Sequence, residues 1–529
     1  MRVLTKCLIP KCEQVAEPGR DRCGYHQPEL PGMSIATNGV PLDFSGLAIT
    51  PSDKPAVPPL DFSDPDPDLS EREPDHLDGP DGLHLTPVGN AARFIRDHGN
   101  DLKWVEGRNV NSAGCWYCWD GQRWRLDNVK AMQLAKVTVS KLSELVTRGV
   151  DAGYDPNAVT KLVKFWGSSE RDHMINEMMR SARWDVAIKQ GQFDADPDLL
   201  GVENGVVDLH GGTLRPANRA DLITKQANAR FDESATCPLW EQFLLDTTQR
   251  NHDLIAYLQM CAGISLTGHT KEHAFFIIIG PGGTGKTTYC ETLKYVWGDY
   301  CIGIDPNSLA SMRAEGGKAR PDIAKLPGVR LVLANETRKG LQLDSGLIKA
   351  LTGGDTATAR YLYHGEFDFK PTHKLWLRTN EEPQFDGADT GMARRVKKIS
   401  FTNVVKTQDV DLPEKLKAEA AGILKWAVRG WLAYQKHGLI EPAIVSTETA
   451  DYIRSLDVLA QFIEEECQVD PSFRQASGEL YQRYRIWIDR RGQKPVGSPR
   501  FKSDLKAKGF KHLEDRNGPA IWYGLQLKK

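Results

Sequence analysis

Cysteine is sparse in this chain: ten residues in 529, most of them isolated. That excludes the dense disulfide framework of a small secreted domain and fits a reducing compartment. Long apolar runs are also missing, since the longest, AFFIII at Ala274 to Ile279, falls far short of the ~20 residues needed to span a bilayer. The start, MRVLTKCLIP, lacks the apolar core of a secretory signal. Excess charge of one sign is absent overall, with a net charge of −2. These absences point away from export and membranes and toward the cytoplasm. With 40% hydrophobic residues, the length allows roughly three or four domains with real cores.

The balanced charge hides an uneven distribution. Eleven acidic residues lie between Asp43 and Asp81. Residues 31–83 are Pro-rich, acidic and without aliphatic periodicity, so a disordered tether is expected there. The motif PLDFS occurs in it twice, making Phe44 and Phe62 candidate anchors for a partner. Ahead of the tether, Cys7, Cys12, Cys23 and His26 are spaced C-x4-C-x10-C-x2-H. Three thiolates and one imidazole form a closed tetrahedral set for structural zinc, so residues 1–30 read as a zinc knuckle. Cys115 and Cys118 stand alone in GCWYCWDGQRW, an aromatic hairpin turning at Asp120-Gly121, and read as structural.

Residues 84–234 read as a mixed α/β middle domain. It begins with helical LTPVGNAARFIRDHG and ends in short strands around VENGVVDLHGGTLRP. In residues 235–404 the sequence GPGGTGKTT follows an apolar strand and opens a helical pattern. Gly280, Pro281, Gly282, Gly283, Thr284, Gly285, Lys286, Thr287 and Thr288 thus form a phosphate-binding loop. Its backbone N–H groups face phosphates, Lys286 reaches the β and γ oxygens, and the Thr287 hydroxyl ligates magnesium. A second buried strand, Val329 to Ala334, delivers Asn335 and Glu336. Glu336 suits the polarisation of water and magnesium binding, with Asn335 where many ATPases carry an acid. A third strand, KLWLRTN, ends in Asn380, a sensor of the γ-phosphate. Arg394 and Arg395 precede a further strand and suit a finger on a neighbouring subunit's nucleotide. Strand-ending Lys/Thr, Glu and Asn in that order describe an AAA+-type α/β core with a parallel sheet, fuelled by Mg-ATP.

Between the second and third strands, IKALTGGDTATARYLYHGEFDFKPT brings Lys349, Arg360, Tyr363, His364 and Lys370 around an expected hairpin with Gly365 near its tip. Cations and aromatics on a hairpin suit a loop that grips phosphates and stacks on bases. After a helical connector, 405–454, residues 455–529 read as three helices, SLDVLAQFIEEEC, SGELYQRYRIWIDRRG and SPRFKSDLKAKGF, ahead of a two-stranded wing. That order describes a winged helix. Within the basic cluster that the second and third of these helices carry, from Arg483 to Lys511, only Asp489 and Asp504 oppose the cations.

From LTPVGNAARF through VENGVVDL, GPGGTGKTT, ANET, IKALTGGD, LWLRTN and MARRVKKISF to the C-terminus, the chain resembles a superfamily 3 helicase of the phage and plasmid primase-helicase family. The resemblance implies a homo-hexameric ring moving along single-stranded and forked DNA, usually 3′ to 5′, in the host cytoplasm. It puts the phosphate-binding pair on Lys286 and Thr287, the acid on Glu336, the sensor on Asn380, and the finger on Arg394 or Arg395. A primase, polymerase or loader is the partner expected for the N-terminal segment. DFSDPDPD and DADPD sit in unpatterned sequence, so priming in cis is not expected. Two alternatives stay open: an origin-melting ATPase without processive unwinding, which a tailed-fork assay separates, and a small-molecule P-loop kinase, which has no use for the hairpin or the wing.

Overall fold

The computed structural model describes residues 78–107, 114–311, 321–335, 340–360, 365–385, 389–405, 409–514 and 520–528. The zinc set, the PLDFS repeats and nearly all of the tether lie outside these residues.

The N-terminal part packs five helices, Pro87–His98, Asn128–Ser140, Leu142–Asp151, Pro156–Ser169 and Asp172–Ala182, against a four-stranded sheet. The first helix starts where sequence chemistry dictates: the Thr86 hydroxyl accepts from Gly89 N at 3.1 Å, and Pro87 occupies the first turn. The expected aromatic hairpin is present, with Cys115–Trp119 antiparallel to Trp124–Leu126 and Asp120 N–H donating to Arg123 O. Cys118 is buried in the core with Phe94, Leu102 and Trp116, and both cysteines are free thiols.

The strands Leu199–Val202, Gly205–Asp208 and Thr213–Arg215 form an antiparallel sheet. Leu200, Val202, Val207 and Leu209 belong to the same apolar cluster as Trp240, Tyr289 and Trp376. Polar ties reinforce this: Arg330 donates to Leu199 O at 2.6 Å, and Trp431 Nε1 donates to Leu209 O at 2.7 Å. The expected division near residue 234 therefore falls inside one continuous core.

That core surrounds a five-stranded sheet, ordered Val396–Ser400, Phe275–Ile279, Lys374–Thr379, Leu331–Asn335 and Cys301–Ile304. Every pairing is parallel. Parallel sheets are covered on both faces, so their strands read as continuous apolar runs; FFIII and KLWLRT are buried at every position. The helices His252–Ile264 and Ala420–His437 clasp one another on one side. A Cβ at Gly263 would lie 2.2 Å from Trp431 N, and one at Gly430 would lie 2.1 Å from Gln259 O, so only glycine permits this backbone approach. Ala357–Arg360 and Glu366–Phe369 form the expected hairpin, pinned by Thr358 Oγ1 donating to Asp368 at 2.7 Å.

The C-terminal part contains the three expected helices, Val458–Glu466, Ser477–Arg490 and Ser498–Ala507, around Phe462, Tyr484, Trp487, Phe501 and Trp522. Its sheet has three strands rather than two, because Cys467–Ala476 pairs antiparallel with Ile521–Leu527. Among the described residues, no helix is long and apolar enough to cross a membrane.

Candidate functional site

The buried strand Phe275–Ile279 ends at Gly280, whose φ of +154° carries the chain past Phe401. A Cβ there would lie 1.9 Å from the Phe401 carbonyl oxygen. The loop then turns into the helix Lys286–Trp297 through Gly285 at φ +86°, where a Cβ would meet Phe243 and Thr247 at 2.9 Å. Gly285 caps the helix without a side chain, so the first-turn N–H groups stay free for an anion. Pro281, Gly282 and Gly283 are exposed, Thr284 is buried, Thr287 is exposed and Thr288 is half-buried.

Lys286 is buried beneath this loop and folded back onto it, its Nζ donating to Gly280 O and Pro281 O at 2.6 Å each. Burial, and then the guanidinium of Arg378, hold its ammonium below the ordinary lysine pKa. Pro281 is exposed and Gly280 half-buried, so a phosphate arriving at this turn would find the cation close by.

Two more strands end at the same carboxyl edge, the place where parallel sheets gather ligands. Leu331–Asn335 brings Asn335, whose buried Oδ1 has no hydrogen-bond partner among the described residues; Glu336 lies outside the described residues. Lys374–Thr379 runs between this strand and the loop strand and is followed by exposed Asn380. Arg378, on the same strand, is buried in register with Ile278 and Asn335 and makes a 3.9 Å ion-pair contact with Glu291. The sequence reading passed over Arg378. With Lys374 it is one of two cations in the otherwise apolar run KLWLRT.

For magnesium, the Asn335 amide oxygen, buried and without a hydrogen-bond partner among the described residues, and the exposed Thr287 hydroxyl are hard oxygen donors that suit the ion. Among the described residues, no group of three or more His, Cys, Asp or Glu side chains could hold a metal.

Arg394 and Arg395 occupy the opposite edge of the sheet, because their strand, Val396–Ser400, starts level with Phe275. Arg395 is engaged locally, donating to Gly391 O at 2.7 Å and to Thr352 Oγ1 at 3.2 Å. Arg394 is exposed. Of the expected DNA-contacting residues, Arg360 ends the first hairpin strand opposite Glu366, and exposed Lys370 follows the second. Tyr363 and His364 lie outside the described residues. Lys349 is on the helix Ser345–Thr352 instead, with its Nζ 2.8 Å from Asp389. Burial works against ionisation of Asp389, yet the Lys349 hydrogen bond keeps its carboxyl below the usual range.

The C-terminal cations are opposed more heavily than their own helices suggested. Arg483 pairs with Glu466 at 3.4 Å, Lys508 with Asp457, and Lys502 with Glu514 at 3.6 Å; Arg491 pairs with Glu465 and stacks on Trp487. Arg485, Arg490, Lys494, Lys506 and Lys511 are exposed without an ion pair among the described residues.

Three family models match successive parts of the chain: "D5 N terminal like" over residues 91–249, a family of unknown function (DUF5906) over 278–395, and "Poxvirus D5 protein-like" over 454–518. A candidate helicase of Acanthamoeba polyphaga mimivirus is 28% identical over 412 residues, covering 71% of this chain and 43% of that protein. A candidate helicase of Frog virus 3 is 25% identical over 246 residues, covering 43% of this chain and 25% of that protein. The chain thus spans less than half the length of these relatives. Among solved structures, the A-form apo structure of the NrS-1 C-terminal region is 12% identical with a TM-score of 0.43, covering 83% of this chain and 99% of that one.

Proposed function

Because this chain belongs to the D5-like superfamily 3 primase-helicase family, we propose that it is an ATP-driven DNA helicase whose AAA+-type core hydrolyses Mg-ATP at the carboxyl edge of the parallel sheet. The observation that carries this reading is the glycine turn that holds Lys286 buried under an open, uncapped helix terminus. On binding, the triphosphate displaces the two loop carbonyls from the ammonium and takes the free N–H groups of the first helical turn. Asn380 orients the attacking water, and Glu336 polarises it. Thr287 and Asn335, with Glu336, would hold magnesium, which neutralises charge on the phosphates when bound.

Arg394 is our choice for the finger, and it acts in trans. The strand it precedes is five residues long and runs toward the loop edge, so the guanidinium starts roughly 16 Å from its own nucleotide. A ring of identical subunits, a hexamer, brings it to the next one. The hairpin carrying Arg360, Tyr363 and His364, with Lys370 beside it, grips single-stranded DNA in the channel, with 3′ to 5′ movement. The C-terminal helices and sheet act as a winged helix on duplex or forked DNA through the exposed Arg485, Arg490 and Lys506. Zinc binds Cys7, Cys12, Cys23 and His26 in a recruiting knuckle; full zinc content in a Cys7→Ser, Cys23→Ser double variant would overturn that ligand set.

Strand displacement on 3′-tailed and 5′-tailed forks tests the motor. The parent should unwind the 3′-tailed fork, Lys286→Ala should neither unwind nor hydrolyse, and Arg360→Ala should hydrolyse without unwinding. Hydrolysis without displacement of either fork by the parent would favour an origin-melting ATPase.

A further inference from the structure

The turn after the helix Asp172–Ala182 presents an indole to solvent. Trp184 is 59% exposed, whereas every other tryptophan of the chain is buried or half-buried. It ends a stack that rises from the core of the N-terminal part. Phe94 meets Trp116 at 6.1 Å, Trp116 meets Trp104 at 5.1 Å, and the Arg183 guanidinium lies 5.8 Å from the Trp104 ring and 4.7 Å from the Trp184 ring. Cation–π contacts of this kind hold an exposed ring in place.

Arg183 differs from other stacked arginines of the chain in what its donors do. Arg219, over Trp119, pairs with Asp101 at 2.6 Å; Arg330, over Tyr300, donates to Leu266 O and Leu199 O at 2.6 Å each; Arg491, over Trp487, pairs with Glu465. The Arg183 guanidinium, by contrast, makes no hydrogen bond or ion pair among the described residues, and its Nε is buried without a partner. Arg180 and Lys189 lie on either side of it in sequence, both exposed and likewise without an ion pair among the described residues, and Asp185 is the one acid between them.

We infer that Trp184 and Arg183 form a contact for single-stranded DNA on the N-terminal part of the chain: a base stacks on the exposed indole and the guanidinium takes a neighbouring phosphate. The inference rests on the DNA reading above and adds to it a contact on a different element from the hairpin. In a duplex the bases stack on one another, so an exposed indole selects the single strand. Tryptophan and arginine also anchor protein interfaces, but unspent donors in a segment with three cations and one acid favour a polyanion.

Equilibrium binding of labelled oligothymidylate to the full chain, over a range of salt concentrations, tests the proposal. Trp184→Ala should weaken binding by about tenfold, the scale of one base–aromatic stack, and Trp184→Phe, which keeps a ring, should recover most of the loss. Arg183→Gln should reduce the slope of log affinity against log salt by about 0.7, the value of one phosphate contact on a single strand. Abasic substitutions in the oligonucleotide should cost the parent more affinity than they cost Trp184→Ala. Because Trp184 is a surface residue, hydrolysis without DNA should stay at the parental rate in its variants and report an intact fold. Parental affinity in Trp184→Ala would overturn the proposal and leave the indole as a protein-docking anchor; a loss as large on duplex as on single strand would overturn the stacking role. A parent that binds no single-stranded DNA would instead overturn the DNA reading, and this contact with it.

Discussion

Lys286 and Lys374 are equally buried, each 6% exposed, and sit at opposite ends of the same sheet. Lys286 donates to carbonyls of a turn that is half-buried at Gly280 and exposed at Pro281, whereas Lys374 donates to the carbonyl of Thr267, which is fully enclosed, at 2.5 Å. Both ammonium groups hold their protons less firmly than usual, first through burial and then through a neighbouring arginine, Arg378 for one and Arg330 for the other. Burial and a shifted pKa therefore do not distinguish a site from a structural tie. What distinguishes them is whether the acceptors can be exchanged for a ligand: an exposed turn can give up its lysine to phosphate, and an interior carbonyl cannot.

The comparison predicts opposite phenotypes. Lys286→Ala should lose hydrolysis by three orders of magnitude or so, the scale of removing transition-state countercharge, while its urea midpoint stays close to the parent's. Lys374→Ala should keep its turnover per folded molecule and lose about 2–4 kcal/mol of stability, because it leaves an interior carbonyl unpaired and a void beside it. Chemical denaturation alongside hydrolysis checks both; an inactive, fully stable Lys374→Ala would collapse the distinction.

Arg394 extends the contrast from one chain to two. Arg394→Ala should also be inactive, yet mixing it with Lys286→Ala subunits should recover part of the hydrolysis wherever an intact loop meets an intact finger. Mixed oligomers as inactive as their parents would place Arg394 outside the site.

A smaller effect belongs to His373, next to Lys374. Burial, and then the Lys374 charge, push its imidazole pKa down to about 3. Between that value and about 6.5 the unfolded chain takes up a proton that the folded one refuses, so stability falls as pH falls through this window. Lowering the pH from 7 to 4.5 should cost about 2–3 kcal/mol through this group. His373→Leu should remove that part of the acid sensitivity, which denaturation at the two pH values would reveal.

The glycine loop, the three strands that end at the site, the aromatic hairpin and the hairpin insert were legible because each is local: a continuous apolar run or a turn residue defines it. The strand Cys467–Ala476 was not legible. Nearly all its residues are exposed or half-exposed, Asp470 and Pro471 interrupt it, and its register shifts between Val469 and Arg474. Backbone pairing with Ile521–Leu527 makes it a strand, and side-chain alternation cannot report that. Lys349 read as a free cation because Asp389 lies forty residues away. Glu465 and Glu466 end one helix but neutralise cations on the next, so charge counted helix by helix overstated the free positive surface.

The glycine contact between His252–Ile264 and Ala420–His437 has a topological consequence. One helix lies before the first strand of the five-stranded sheet and the other after its last. With Gly263 and Gly430 in backbone contact, the sheet is a nearly closed circuit of chain whose entry and exit lie side by side. A circuit joined in this way keeps its connectivity wherever it is opened. Opening the circuit by cleavage between Arg360 and Glu366, the paired ends of the two hairpin strands, would leave every strand neighbour in the five-stranded sheet unchanged.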